Sequence, residues 1–154
     1  MEGFLPGATF GRYRIEGIVG RGGMAVVYRA TEAELARQVA LKVMLGGGAV
    51  RLRAEALAAA AIEHPHVVPV YDVGAVDGVP FIAMRLIEGP SLAEVVSRGP
   101  LEPRRAVALI VQVAGALEAA HARGVLHRDV KPANVLLDGD HAYVTDFGVA
   151  HRIT

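Results

Sequence analysis

Apolar and polar positions change period along this chain, and the changes mark its elements. Tyr13, Ile15 and Val19 alternate with polar or small residues, so positions 11–19 predict a strand. A glycine-rich break follows at Gly20, Gly22 and Gly23, and Val26-Val27-Tyr28 returns to extended chain. Another strand is predicted over 38–44, where Val39-Ala40-Leu41 leads into Lys42. From Arg51 to Ile62 the chain is rich in alanine, the best helix former, and reads as a helix. Two further strands, 67–73 and 80–86, meet at a turn at Asp77-Gly78, and Ser91 opens a short helix. The longest helical pattern spans 101–123, with Pro103 in its first turn and Gly124 just past its end, where each is favoured. Between Ala106 and Ala120 only Gln112 and Glu118 are polar, and a helix apolar nearly all round predicts burial on all sides. Strands gathered early and helices late make the class α+β.

Composition narrows the picture. The 154 residues suit one domain with a core of its own. Sixteen basic residues balance sixteen acidic ones, which argues against nucleic acid as the main partner. There is no cysteine, hence no disulfide framework and no thiolate zinc site. Met1 to Phe10 lacks the basic and apolar regions of a signal peptide, and no unbroken run of about 18 apolar residues occurs. No membrane segment is therefore expected, and a cytoplasmic location is, either alone or as the cytoplasmic part of a longer anchored protein. Hydrophobic residues make up 53% without glycine, against about 45–50% with glycine in ordinary domains. The chain is too apolar to be fully covered by itself.

The chemistry concentrates in His127-Arg128-Asp129-Val130-Lys131-Pro132-Ala133-Asn134, with Asp146-Phe147-Gly148 downstream. This is a loop between apolar segments. It offers a carboxylate to a hydroxyl, an ammonium to an anion, and an amide oxygen plus a second carboxylate to a hard cation. Phosphoryl transfer needs that set, because it is mostly positioning and charge compensation. Upstream, the glycines at 20, 22 and 23 let a backbone approach phosphate oxygens. Gly20, Gly22 and Ala25 also fit a dinucleotide-binding fingerprint, but that motif demands a helix next and a strand follows here. Lys42, in an apolar strand, must find an anion or reach solvent. His64-Pro65-His66 has a metal-like spacing, yet proline between the histidines and the lack of a third ligand nearby favour a plain turn.

Together these motifs resemble protein kinases, in particular the eukaryotic-like serine/threonine kinases of bacteria, over 13–154. Lys131 resembles the serine/threonine rather than the tyrosine form. The resemblance implies a kinase-like fold: an antiparallel-sheet N-lobe with one helix over 13–84, a hinge over 85–91, and the first part of a helical C-lobe over 92–154. Residues 1–12 would be an extension before the N-lobe. It implies ATP and Mg²⁺ as cofactors, a protein serine or threonine as acceptor, and transfer of the ATP γ-phosphoryl group. By match to the family, Gly20, Arg21, Gly22, Gly23, Met24, Ala25, Val26 and Val27 would cover the phosphates. Lys42, held by Glu55, would fix them. Val19, Val27, Ala40 and Leu136 would enclose adenine, Met84 would back its pocket, and the backbones of Arg85 and Ile87 would bond its edge. Ser91 would lie near the ribose. Asn134 and Asp146 would hold the metal ions, Asp129 would orient the hydroxyl and take its proton, and Lys131 would neutralise the moving group. His127 and Phe147 would support the site, and Arg128 resembles kinases switched on by phosphorylation; Thr154 is a weak candidate for such a site. Two departures stand out: Ala25 replaces a glycine, and only twelve residues separate Lys42 from Glu55, which predicts a shortened helix on a Gly46-Gly47-Gly48 tether. The family continues beyond an Asp-Phe-Gly motif with further helices. The excess apolar surface therefore predicts a stretch from the N-terminal part of a kinase domain. The alternative is a nucleotide-binding fragment or interaction module without catalysis.

Overall fold

A computed structural model describes residues 3–22, 25–45 and 49–147, with backbone only at 49, 51, 52 and 55. The chain divides into two compact units, residues 1–56 with 70–86, and residues 57–69 with 87–154.

The first unit is a six-stranded sheet in the order β1-β2-β3-β4-β6-β5. Its strands are β1 (Thr9–Phe10), β2 (Tyr13–Arg21), β3 (Ala25–Glu32), β4 (Arg37–Met44), β5 (Val70–Val76) and β6 (Val79–Arg85), all antiparallel to their neighbours. Alternation along β3 and β4 sorts their side chains. Val26, Tyr28 and Ala30 join Val39, Leu41 and Val43 in a core that also takes Phe10, Tyr13, Ile15, Phe81 and Ala83. Asp77 and Gly78 both have positive φ, 49° and 77°, and so form the mirror-image turn that matches the twist of the β5–β6 hairpin. The β3–β4 ladder closes at Glu32↔Arg37. Glu32 is buried and is held by Arg12 Nε at 3.1 Å and an Arg37 terminal nitrogen at 2.7 Å, which is what a buried carboxylate requires.

Two boundaries differ from the sequence reading. Residues 3–12 belong to the sheet: β1 pairs with β2, Phe4 packs edge-on against Phe10 and Tyr28, and its N–H donates to the Tyr28 hydroxyl at 3.0 Å. Aromatic area close to the chain start is enough to dock it, whatever the strand period says. Residues 57–69 go with the second unit rather than with the sheet. Ile62 and Val67 are buried there, and the Val68 N–H donates to the Val144 carbonyl at 3.0 Å. The division falls inside α1 (Ala49–Ala60). This helix has the expected place and length, whereas the glycine tether at 46–48 lies outside the described residues.

The second unit contains α2 (Leu92–Ser97), α3 (Pro103–Ala122), a single 3-10 turn (Pro132–Asn134) and a hairpin of β7 (Val135–Asp138) and β8 (His141–Val144). Ser91 caps α2 with a reciprocal box: its hydroxyl accepts from Glu94 N–H at 3.2 Å, and the Glu94 carboxylate accepts from Ser91 N–H at 2.7 Å. The same local bonds pull the Glu94 carboxyl below its ordinary value. Upstream of α2, a Cβ on Gly89 would lie 1.7 Å from the Leu137 carbonyl oxygen, so only glycine fits there. The next residue secures the approach: Leu137 N–H donates to the Pro90 carbonyl at 2.9 Å.

Helix α3 departs from the expectation of burial all round. Leu109, Val113, Ala116 and Ala120 form one buried stripe, packed with Val125, Val135, Leu137, Ala142, Val144 and Phe147. Val107, Ile110 and Val111 are more than 60% exposed on the other side. With 20 residues and a mean hydropathy of 1.2 over its most apolar 18-residue stretch, α3 is long and apolar enough by length and composition to cross a membrane. Here its buried stripe is part of a core.

Candidate active site

The candidate residues fall into two groups, one in each unit. In the first unit the sheet's alternation arranges them. Val27, Lys42 and Ile82 are directly opposite one another across β3, β4 and β6, and so are Arg29, Ala40 and Met84. These rows lie on the face turned away from the Tyr28–Leu41 core. Lys42, Val27 and Met84 are half-buried, and Ala40 is buried. Lys42 thus stands in a row with apolar Val27 and Ile82, a setting that suits a lysine with a buried stem and a polar head. Met84 also packs against the small cluster of Met44, Ala56 and Ile82. Arg85 ends β6 with its side chain exposed.

Val26 is the exception among the described residues matched to the phosphate flap. Its side chain is 3% exposed within the sheet's core. A strand alternates faces, so a contiguous run such as 25–27 cannot present every side chain to one ligand, and Val26 can offer only backbone. Val19 and Arg21 are exposed near a register shift between Ile18 and Gly20, and the Gly22 N–H donates to the Ala25 carbonyl at 2.8 Å. Gly23 and Met24 lie outside the described residues, as do Gly148 and Thr154. Glu55 lies on α1, but its side chain is likewise outside them.

In the second unit irregular backbone does the arranging. Between Val125 and the 3-10 turn the chain makes no regular structure, and Arg128 has a φ of 63°. His127 holds this loop from beneath. Its Nδ1 accepts the Asp129 N–H at 3.1 Å, so its proton sits on Nε2, which donates to the Thr145 carbonyl at 2.8 Å. The ring is buried and lies 4.6 Å from the Phe147 ring, centroid to centroid. One histidine therefore fixes the backbone on either side of the candidate cation site.

Three polar side chains converge above it. Lys131 Nζ is 3.2 Å from Asp129 Oδ2. Asn134 is buried, and its Nδ2 donates to the Asp129 carbonyl at 2.8 Å and to Asp129 Oδ2 at 3.0 Å. The Lys131 and Asn134 hydrogen bonds hold the Asp129 carboxyl below its ordinary value. With Nδ2 engaged by Asp129, the remaining polar atom of the Asn134 amide is Oδ1. The Asn134 carbonyl accepts the Thr145 N–H at 3.0 Å, which extends the β7–β8 ladder by one pair and sets Asp146 directly beyond it. Asp146 is half-buried with a φ of 56°, a left-handed conformation that aspartate tolerates better than most residues. An amide oxygen and a carboxylate on adjoining backbone form a donor set suited to a hard divalent cation. Leu136, half-buried on β7, bridges to Ser91, and Ile87 is buried.

The sequence reading missed Thr145, whose backbone ties His127 to Asn134. No side-chain chemistry marks it, since only its N–H and carbonyl take part.

The protein kinase domain family matches residues 13–154, and the chain belongs to that family. It is 47% identical to the serine/threonine-protein kinase PknH of Mycobacterium bovis over 156 aligned residues, and 48% identical to PknE of Mycobacterium tuberculosis over the same length. Each alignment takes in 96% of this chain but only 26% and 28% of those proteins. The crystal structure of the Mycobacterium tuberculosis PknI kinase domain superimposes with a TM-score of 0.84 at 34% identity, covering 96% of this chain and 62% of that one. The chain thus has the kinase fold expected of it and spans about a quarter of the length of these curated relatives.

Proposed function

We propose that this chain supplies the nucleotide- and cation-binding part of a serine/threonine kinase that transfers the ATP γ-phosphoryl group to a protein hydroxyl. The observation that carries the reading is the Asp129–Lys131–Asn134 cluster. It holds a carboxyl below its ordinary pKa, beside an ammonium and an amide whose oxygen the carboxylate does not use. Asp129 would accept the hydrogen bond of the acceptor hydroxyl and take its proton as the new bond forms. Lys131 would compensate the charge on the group in transit. Asn134 Oδ1 and the Asp146 carboxylate would hold Mg²⁺, which when bound screens the phosphate oxygens. On the sheet, Lys42 would meet the phosphates and Glu55 would pair with it. Val19, Val27, Ala40 and Met84 would provide apolar surface for adenine on this unit.

The test is transfer of label from γ-labelled ATP to a protein acceptor by the native gene product that carries this sequence. Asp129→Asn should lower the rate by about 10²–10⁴-fold, the usual share of a positioned base, and Lys42→Met should abolish transfer. Unchanged turnover in either variant removes the assignment. A thermal shift with Mg-ATP but no transfer by the native protein would leave a nucleotide-binding module instead.

A further inference from the structure

Gln112 is one of two polar residues in the apolar middle of α3, and both ends of its amide are engaged with the β7–β8 turn. Nε2 donates to the Asp140 carbonyl at 2.8 Å, and Oε1 accepts the Ala142 N–H at 2.7 Å. A side-chain amide so used imitates a strand edge and fixes the hairpin in both position and rotation. Arg105, about two turns earlier on the same face of α3, adds a weaker tie through Nε to Asp140 Oδ1 at 2.9 Å, an exposed pair of little strength alone. Along the same outer edge of β8, His66 Nδ1 bonds the Ala142 carbonyl at 2.8 Å, and His141 Nε2 bonds the Pro65 carbonyl at 2.7 Å.

The hairpin carries Asn134 at the open end of β7 and Asp146 beyond the open end of β8. Four paired residues at about 3.4 Å each put that end about 13 Å from the turn that Gln112 grips. A tilt of roughly 5° at the turn would displace the open end by about 1 Å, a displacement large enough to cost on the order of 10²-fold in catalysis. The amide neither lines the Asp129 cluster nor fills the apolar stripe, so its grip on the turn is the contribution it makes. We propose that Gln112 is a positioning residue for the cation-binding end of the hairpin, an inference that rests on the reading of Asn134 and Asp146 as cation ligands.

The probe is Mn²⁺ with a non-hydrolysable ATP analogue, its binding to the native gene product and variants followed by EPR, with melting temperatures measured alongside. Gln112→Met keeps the length and loses both bonds. It should weaken Mn²⁺ binding roughly tenfold, the lower end for residues that orient metal ligands. Gln112→Glu still accepts from Ala142 N–H but turns a second acceptor on the Asp140 carbonyl, and should weaken Mn²⁺ binding too; if the Met variant fails to fold, native affinity in the Glu variant overturns the proposal. A Met variant that melts lower yet binds Mn²⁺ with native affinity makes Gln112 a structural residue only and overturns the proposal. Asn134→Ala and Asp146→Ala separate the two levels. If both keep native affinity, the ligand assignment fails and the positioning role falls with it. If both lose affinity while the Gln112 variants do not, the ligands stand and the positioning role alone is refuted.

Discussion

The two units place chemical groups by opposite means. In the sheet, Val27, Ala40, Lys42 and Met84 share a face because strands alternate, and any residue of the right parity would be carried there. In the second unit, Asp129, Lys131, Asn134 and Asp146 come together through a left-handed Arg128, one 3-10 turn, a left-handed Asp146 and a set of specific hydrogen bonds. The sheet tolerates local change as long as its core holds. The loop depends on individual bonds, and few of its residues could be exchanged without moving the others. The unit that supplies apolar surface is thus built on a repeating pattern, and the one that supplies charge is built on exceptions to pattern.

That contrast can be broken or sharpened by substitution. The largest effect on stability should come from the sheet: Leu41→Ala, at a fully buried site, should destabilise it by about 2–5 kcal/mol, read as a lower denaturant midpoint. A loss below about 1 kcal/mol would mean that the alternating core does not carry the sheet. Next, Ser91→Ala removes the hydroxyl half of the α2 capping box and should cost about 1 kcal/mol, again by denaturant titration. A cost indistinguishable from zero would show that α2 is held by Leu92 and the Pro90–Leu137 bond instead.

The smallest effect is electrostatic. The folded-state pKa of Asp129 lies below its ordinary value, chiefly through the hydrogen bond from Lys131 and then that from Asn134. The stabilisation from those bonds is therefore present above the ordinary carboxylate range and is lost as pH falls through the lowered pKa. Lys131→Met should move the Asp129 titration, followed by carboxyl-carbon NMR, back up towards the ordinary value. No movement would assign the shift to Asn134.

Much of the fold was legible because strands and α3 follow their periods, and Pro103, Gly124 and Asp77-Gly78 mark ends and turns by backbone preference. The sequence reading treated 1–12 as an addition and 57–69 as part of the sheet unit, since docking of Phe4 on Tyr28 and of Val67 beside Val144 are long-range events with no local signature. Full burial of α3 was expected from its composition, yet composition does not say which faces find a neighbour among the described residues. At the site, the charged residues were legible as a motif, whereas their order was not. Nothing local assigns the proton of His127 or the backbone role of Thr145, and a motif that runs through 25–27 conceals that Val26 turns the other way.

Two glycines show how unevenly a protein kinase domain can drift. A methyl group on Gly17 would meet no atom within 4 Å, so mutation there can wander through many residues. At Gly89 the smallest side chain would overlap the Leu137 carbonyl at 1.7 Å, and even alanine would have to pry β7 from the segment leading into α2. Ancestry at position 89 is held by a lack of space and not by any reaction, so a lineage that had lost catalysis altogether would still inherit that glycine for as long as it kept the fold.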